Sequence, residues 1–330
     1  MKDYRLKENR LKFFTGLYEM NLRYGVMPGL VYLYLPELAD RFGWCPEQKL
    51  WFAFLNGMTQ NPITSLAIYE KIPEPPSETQ LQKFGEWFDD QWDNLQFDTD
   101  RRYQKKDTVD SIRSYTSLLS HFKSQEEMLT GSYRSLWNRV SKRYKSFGRL
   151  SSFSYLEYVY LYGFGADCAN LLFEDKSGSK SHRNGMLLLQ GHDEWVWDKR
   201  MENGFDGKYP QFDKMCRHLR SSAESFLEEF RLSHPNVNYV GNFTFESNLC
   251  TFKNHFFGRR YPGVYADMAW DRIEWAESRG RDCAIFKDMR SELLPEWLRA
   301  ECAKEKIEVR KQGLSFRDNG LPFRGEWFLK

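Results

Sequence analysis

Residues 145–193 combine two histidines with acidic and basic side chains in a stretch rich in glycine and serine. The histidines are His182 and His192, and an imidazole can accept a proton near neutral pH. Asp175, Arg183 and Asn184 lie in the same stretch, where they could hold an anionic substrate. The pattern indicates either a substrate loop that carries a general base or a surface loop with solvated charges.

A second group of candidate substrate residues lies in residues 251–272 and consists of Lys253, Arg259, Arg260, Tyr261, Asp267 and Asp271. The cations favour phosphate or carboxylate, and the arginine forks can bind two oxygens at once. The two aspartates are four residues apart, so they would share one helix face and could hold an amine. The competing interpretation is a basic loop that pairs with two surface acids.

Residues 97–106 carry the sharpest charge alternation in the first half of the chain, with the candidates Asp100, Arg101, Arg102 and Lys105. Acids followed by cations at a loop that enters a helix could hold a phosphate-bearing substrate. A solvated helix start explains the same pattern.

A basic helix followed by a tight turn is the candidate DNA-binding element. The helix is predicted over residues 133–144, and Gly148 supplies the turn because glycine tolerates its backbone angles. Ser151 or Ser152 is expected to cap the next helix, whose start can attract phosphate. The candidate DNA-binding residues are Arg139, Lys142, Arg143, Lys145, Gly148, Arg149 and Ser151.

The composition of the chain limits the classes of protein to which it can belong. The 330 residues are 41% hydrophobic and 17% aromatic, which is ample for a core, and a net charge of +2 excludes a globally basic nucleic-acid binder. The six cysteines contain no CxxC pair, so neither a zinc site nor a disulfide framework is indicated. No apolar run reaches the roughly 18 residues of a membrane span, and we expect a cytoplasmic protein. The common phosphate-loop, dinucleotide, zinc-peptidase and hydrolase motifs are absent from the sequence.

Helical periodicity covers most of the chain and predicts a mainly α-helical fold with at most a minor β element. Helices are predicted near residues 9–24, 31–42, 46–58, 62–69, 78–92, 111–122, 133–144 and 211–232. Alternating β-branched and aromatic residues predict a strand over 236–245, with a weaker one at 307–310. We expect one compact unit with a soft boundary near Gly204, which separates a lobe of residues 1–203 from a lobe of residues 204–330.

Four segments resemble a small family of bacteriophage enzymes, the amino acid:DNA transferases, which hypermodify thymine in DNA. The segments are FDTDRR at 97–102, FGRLSSF at 147–153, SHRNG at 181–185 and RRYPGVYADMAWDR at 259–272, and the resemblance spans roughly residues 49–272. It extends more distantly to the helical domain of 5-hydroxymethyluracil DNA kinases. The family has been related to helix-hairpin-helix DNA glycosylases, so the resemblance implies a glycosylase-like helical fold, although the glycosylase hairpin sequence is absent.

The resemblance implies a substitution at a base already in DNA. A kinase first pyrophosphorylates 5-hydroxymethyluracil, and the amine of an amino acid, often glycine, then displaces pyrophosphate. The substrate arrives activated, which fits the missing nucleotide-binding loop. The implied partners are double-stranded DNA with a modified thymine, flipped into an aromatic-lined pocket, and a free amino acid, inside the infected bacterial host cell. The sequence leaves open the oligomeric state, and whether Mg²⁺ helps the pyrophosphate leave.

The implied chemistry divides the candidate residues by role. His182 or His192 would be the general base, Asp267 or Asp271 would hold the ammonium, and Arg259 or Arg260 the carboxylate. Asp175 would stabilise charge at the activated thymine by the glycosylase analogy alone. Two competing hypotheses are a non-catalytic DNA-binding or packaging factor, which does not need the acids, and a glycosylase-like base-excision enzyme.

Overall fold

Helices are the regular structure of the chain. The computed structural model describes residues 5–27, 31–97, 102–168, 173, 181–193, 196, 212–257, 260, 263–296 and 298–299. Within these ranges there is no β-strand, which confirms a mainly α-helical fold. The helices are α1 Lys7–Tyr24, α2 Val31–Arg41, α3 Pro46–Thr59, α4 Pro62–Lys71, α5 Glu78–Gln91, α6 Arg102–Lys106, α7 Thr108–Leu119, α8 Gln125–Met128, α9 Tyr133–Arg143, α10 Arg149–Leu161, α11 Ser181–Leu189, α12 Phe212–Ser233, α13 Asn242–Phe256, α14 Val264–Ser278 and α15 Ala284–Leu293.

Local capping explains several of the helix starts. α3 and α4 both begin with proline, whose fixed backbone angle suits the first helical position. The Asn61 side chain accepts hydrogen bonds from the backbone N–H groups of Ile63 and Thr64, which have no partner inside α4. At α5, the backbone N–H of Ser77 donates to the Gln80 side chain, and the Ser77 hydroxyl accepts from the Gln80 backbone.

The chain divides into two compact units. The described residues of the first unit belong to Met1–Met27 and Cys168–Val264, and those of the second belong to Pro28–Asp167 and Tyr265–Arg299. The described part of the first unit therefore comes from two segments that are far apart in the sequence. The boundary predicted near Gly204 lies outside the described residues and stays a prediction.

Aromatic rings from α1, α12 and α13 form the core of the first unit. The Phe14 ring lies 5.3 Å from Phe226 and 5.5 Å from Phe252, centroid to centroid, and Tyr18 lies 4.8 Å from Phe230. Such rings bury large apolar areas, so they supply much of the stability of a helical core. Polar contacts fix how α1 lies on α13. Oη of Tyr18 and Oγ1 of Thr244 form a hydrogen bond at 2.9 Å, and Nδ2 of Asn21 donates to Oδ1 of Asn248 at 2.6 Å.

The second unit is organised around α3, which is buried from Leu50 to Thr59. The Trp51 indole donates to the carbonyl of Ile72 at 2.8 Å, and the Phe54 ring stacks on Phe147 at 5.3 Å. Gly57 lets α10 come close, because a Cβ at this position would lie 2.8 Å from the Cβ of Tyr155. Burial raises the pKa of the Tyr155 phenol, so this buried group is neutral.

Two predictions about local structure are wrong. Residues 236–245 are not a strand, because irregular chain leads to Gly241 and α13 starts at Asn242. The helix after the Gly148 turn starts at Arg149, so Ser151 and Ser152 lie inside α10 and do not cap it. The weaker strand at 307–310 lies outside the described residues. Among the residues that the structure describes, none of the helices has the length and apolar character needed to cross a bilayer.

Candidate functional site

The start of α11 carries three residues that the sequence marked as candidates, but in a helix and not in a loop. His182 and Arg183 are each 1% exposed and Asn184 is also buried, so the expected surface loop does not reach this point. A helix that is buried on all sides packs among other helices. The residues are therefore held rigidly inside the first unit.

Gly185 brings α11 unusually close to α13. A Cβ atom at position 185 would lie 2.2 Å from the carbonyl oxygen of Leu249, which leaves no room for any side chain. This approach places His182 beside Glu246, with 3.0 Å between Nδ1 of the imidazole and Oε1 of the carboxylate. The ring of Phe173 stacks on the other side of the imidazole at 5.5 Å.

Glu246, which is buried, and Cys250, which is half-buried, form a polar group with His182, and sequence reasoning missed both. They lie four residues apart on α13 and so share one helix face. Glu246 is 4% exposed, and the ligand atoms of the three residues all lie within 4.8 Å of one another. We call these three residues the His–Glu–Cys cluster. Among the described residues, this is the group whose donor atoms could hold a metal ion.

Two cations adjoin this cluster in the sequence and in the fold. Nη1 of Arg183 donates to the carbonyl of Phe173, which also accepts from the Cys216 thiol at 3.4 Å. Nζ of Lys253 donates to the Ser181 hydroxyl at 2.7 Å. The end of α13 and the start of α11 therefore gather positive charge beside the buried imidazole, an arrangement that can bind an anionic group.

The other end of α11 is anchored by α1. The Arg10 guanidinium binds both carboxylate oxygens of Asp193 and donates to the carbonyl of Leu188 at 2.7 Å. The Arg10 hydrogen bond holds the pKa of the Asp193 carboxyl below its usual value. His192 precedes this aspartate and is half-buried, so its imidazole is more accessible than that of His182.

His255 is a second buried imidazole near the end of α13. Burial lowers its pKa to about 4, and the positive charge of Arg260 acts in the same direction, although a backbone hydrogen bond at Arg260 opposes the shift. The Phe13 ring meets it edge-on at 6.4 Å. His255 is therefore neutral at physiological pH.

The remaining described substrate candidates belong to different parts of the chain. Asp267 is 2% exposed in the first turn of α14, and Asp271 is half-buried one turn later. Arg260 is half-buried in the first unit, whereas both aspartates belong to the second. Lys105 lies over the Trp92 ring at 4.4 Å, and burial lowers the pKa of its amine.

The DNA-binding candidates divide into exposed and engaged side chains. Lys142, Arg143 and Lys145 are exposed, whereas Arg139 donates to the carbonyl of Met128 and lies over the Phe122 ring at 5.1 Å. Arg149 is half-buried. Arg139 already binds a carbonyl and a ring, so the three exposed cations are the better candidates for contact with phosphate.

The turn before α10 is held from both sides. Ser111 donates to the carbonyl of Lys145 at 2.9 Å, and Gln104 donates to the Ser146 carbonyl and to the Ser151 hydroxyl at 3.3 Å. Gly148 is exposed, with nothing within 4 Å of a Cβ built there. Its backbone can therefore be approached by a ligand.

Several candidates cannot be located. Asp100, Arg101, Asp175, Arg259 and Tyr261 lie outside the described residues, and only the backbone of Arg102 is described, at the start of α6. Their predicted roles stay predictions.

The chain resembles known proteins over most of its length. The family described as amino acid:DNA transferase matches residues 38–261, a range that contains the His–Glu–Cys cluster. A serinyltransferase of Salmonella phage ViI is 28% identical over 276 residues, which cover 78% of this chain. The match covers 66% of the length of that relative. No solved structure matches the chain.

Proposed function

Because the chain belongs to the amino acid:DNA transferase family, we propose that it is an enzyme that transfers an amino acid onto a base in DNA. The observation that carries this proposal is the family match over residues 38–261. Lys253 and the imidazole of His192 are half-buried, lie within the matched range and support it.

The acceptor that we propose is 5-pyrophosphoryloxymethyluracil in double-stranded DNA. The ammonium of the amino acid first gives a proton to the general base, which frees the lone pair of the nitrogen. The amine nitrogen then attacks the methylene carbon on C5 of the uracil, and the bond from this carbon to the pyrophosphate oxygen breaks. Pyrophosphate leaves with the electron pair of that bond. The ammonium formed on the new C–N bond then gives one proton to a base. No cofactor is consumed, because the leaving group carries the energy.

The protein then has three tasks, which are to hold the leaving group, to orient the amine and to accept a proton. Pyrophosphate carries several negative charges, so it needs several cations. Lys253 is a half-buried cation of this kind in the first unit, and Arg101, Arg102, Lys105, Arg259 and Arg260 are the other candidates. Arg183 is 1% exposed and donates to the Phe173 carbonyl, so it holds the fold in place beside the site. Asp271 is our candidate for the amino group of the incoming amino acid.

We assign the proton acceptor to His192 in preference to His182. A general base must come within hydrogen-bond reach of the proton that it takes. His182 is 1% exposed and lies against Glu246 and Phe173, whereas His192 is half-buried at the end of α11. A substrate amine can reach the second imidazole without opening the core.

There are two candidates for the amino acid that is transferred. Glycine is the expectation from the resemblance, and the name of the phage ViI relative gives serine for that protein. Serine offers both an amine and a hydroxyl as nucleophile. The two linkages have the same mass, but only a product joined through the hydroxyl keeps a primary amine that an amine-reactive label can modify.

The test is to incubate the protein with duplex DNA carrying pyrophosphorylated hydroxymethyluracil and each amino acid in turn. The DNA is then digested to nucleosides and weighed, and released pyrophosphate is measured. We expect one amino acid, glycine or serine, to give a mass gain with matching pyrophosphate release. Duplex DNA with plain hydroxymethyluracil is the control and should give neither.

Other results would assign the protein to another class. Abasic sites in place of a mass gain would identify a base-excision enzyme. Tight duplex binding without any change in the nucleosides would favour a DNA-binding or packaging factor, and both results would overturn the transferase proposal.

A further inference from the structure

We propose that His182, Glu246 and Cys250 bind one zinc-class divalent metal ion between α11 and α13. Glu246 follows His182 by 64 residues and Cys250 follows it by 68, so no short sequence motif marks the three residues. The fold brings their ligand atoms within 4.8 Å of one another in the first unit, where His182 and Glu246 are buried and Cys250 is half-buried.

The helix geometry suits chelation. Glu246 and Cys250 are one helical turn apart on α13, so their side chains can bind one ion from the same face. His182 reaches them from α11 because Gly185 lets the two helices come close. An ion bound by two ligands from α13 and one from α11 would link the two helices.

The separations are near those that a tetrahedral ion imposes. With zinc–nitrogen and zinc–oxygen bonds of about 2.0 Å and zinc–sulfur bonds of about 2.3 Å, bound N and O atoms lie about 3.3 Å apart, and N and S about 3.6 Å. The imidazole Nδ1 and the carboxylate Oε1 are 3.0 Å apart, and all three groups fit within 4.8 Å. Movements of about 1 Å therefore complete the geometry.

The donor types select the metal. Thiolate and imidazole prefer zinc and similar transition ions, whereas magnesium and calcium prefer oxygen ligands throughout. This ion is therefore distinct from any Mg²⁺ that accompanies pyrophosphate. A divalent cation would also balance the negative charges of the buried Glu246 carboxylate and the half-buried Cys250 thiolate.

The metal changes the role of one candidate base. If His182 gives its lone pair to the ion, it cannot accept a proton from the amino acid, which agrees with the assignment of His192 and rests on the proposed function in this respect only. The described chain supplies three ligands, and the fourth position of a tetrahedral ion would take water or a further group.

The first test is metal content, which needs no activity. The full chain is purified without chelator, dialysed and assayed for metals by mass spectrometry, then titrated with Zn²⁺ against a chromophoric chelator. We expect about one zinc per chain, bound tightly enough to compete with the chelator. No zinc above background, together with no competition in the titration, would overturn the proposal.

The second test asks whether these three residues hold the ion. Cobalt(II) replaces zinc, and a thiolate ligand then gives a sulfur-to-cobalt charge-transfer band in the near ultraviolet. The band should be present in the unchanged chain and in two controls, Cys45→Ser at an exposed cysteine and Glu157→Gln at a buried glutamate of the second unit. It should be lost in Cys250→Ser, and Glu246→Gln should weaken cobalt binding at least tenfold.

A band that persists in Cys250→Ser would place the metal elsewhere and refute the assignment. Because Cys250→Ser is nearly isosteric, circular dichroism of this variant should match the unchanged chain. If it does not, the chelator titration of the unchanged chain decides alone. Failure of the transferase assay with normal zinc content would leave this inference standing, so the two proposals fail separately.

Discussion

Gly185 lies so close to Leu249 that a single methyl group at position 185 would come within 2.2 Å of the Leu249 carbonyl oxygen. The obstacle is backbone, so it cannot be relieved by turning a side chain. The absence of a Cβ atom at position 185 lets α11 and α13 approach to this distance. The contact between His182 and Glu246 depends on this close approach.

The variant Gly185→Ala should therefore lose stability by about 1–3 kcal/mol, because overpacking forces the helices apart. Gly85→Ala in α5 is the matched control, since its Cβ would meet only Val109 at 3.8 Å. Alanine is the better helix former, so the control should be neutral or more stable by up to about 1 kcal/mol. Denaturant unfolding measures both, and equal midpoints would contradict the close packing.

Duplex DNA binding should depend on Lys142 and Arg143, which are exposed near the end of α9. Removing both phosphate contacts in the double alanine variant should lower affinity and reduce the slope of log affinity against log salt by about 2. Lys83→Ala, at an exposed lysine of α5, is the control. Fluorescence anisotropy across a salt series gives the slope, and an unchanged slope would remove α9 from the interface.

Arg139 should behave differently from its basic neighbours. Its guanidinium binds the Met128 carbonyl and covers Phe122, so Arg139→Ala should lower stability as well as any DNA affinity. Thermal unfolding of this variant, beside Arg143→Ala as the control, measures the difference. Equal stability of the two variants would count against a structural role for Arg139.

Substitutions of the two aspartates of α14 should have different effects on the kinetics. Asp271→Asn should raise the amino-acid KM by about 10- to 100-fold with little change in stability, if its carboxylate holds the substrate ammonium. Asp267 is 2% exposed in the first turn of α14, where a negative charge is favourable, so Asp267→Asn should mainly lower the melting temperature. An unchanged KM in Asp271→Asn would refute the ammonium site.

Acid should destabilise the first unit through His255. Its pKa is about 4 in the folded protein and about 6.5 when unfolded, so the unfolded chain binds the extra proton between these values. Stability is unaffected above pH 6.5 and falls as the pH drops towards 4, by about 3 kcal/mol when complete. His255→Gln should show a flatter curve of unfolding free energy against pH than the exposed control His218→Gln. Parallel curves would contradict this.

Turnover should depend on the imidazole of His192. His192→Ala should lower kcat by on the order of 10²–10⁴-fold with little change in KM, and added imidazole should restore part of the rate because the position is half-buried. His182→Ala should not be rescued, since its site is closed to solvent. Rescue at His182 and not at His192 would reverse the assignment of the base.

Helix positions were largely predictable because their signals are local. Pro46, Pro62 and the Ser77–Gln80 pair mark helix starts within one turn of sequence. The site was less predictable. Serine and glycine before His182 favoured a loop, whereas the structure has a helix from Ser181 to Leu189. The need for glycine at 185 comes from its contact with Leu249, which lies far away in the sequence.

Glu246 and Cys250 were missed because residues 236–245 alternate like a strand. The spacing of Phe245, Leu249, Phe252 and Phe256 fits a helix and could have revealed α13. The proximity of Glu246 and Cys250 to His182 results from packing between distant segments, which no local sequence pattern encodes.

The division of the first unit between the start of the chain and its later half has a consequence for biosynthesis. Arg10 and Tyr18 have partners near residues 188–193 and 241–244, so α1 leaves the ribosome long before its partners exist. From the end of α1 at 24 to the end of α13 at 256, the ribosome must add 256 − 24 = 232 residues. At roughly 5–20 residues per second this takes about 10–50 seconds. Until residues 188–193 are made, the partners of α1 on α11 and α13 do not yet exist, so the nascent chain offers a binding surface to chaperones that the finished protein conceals.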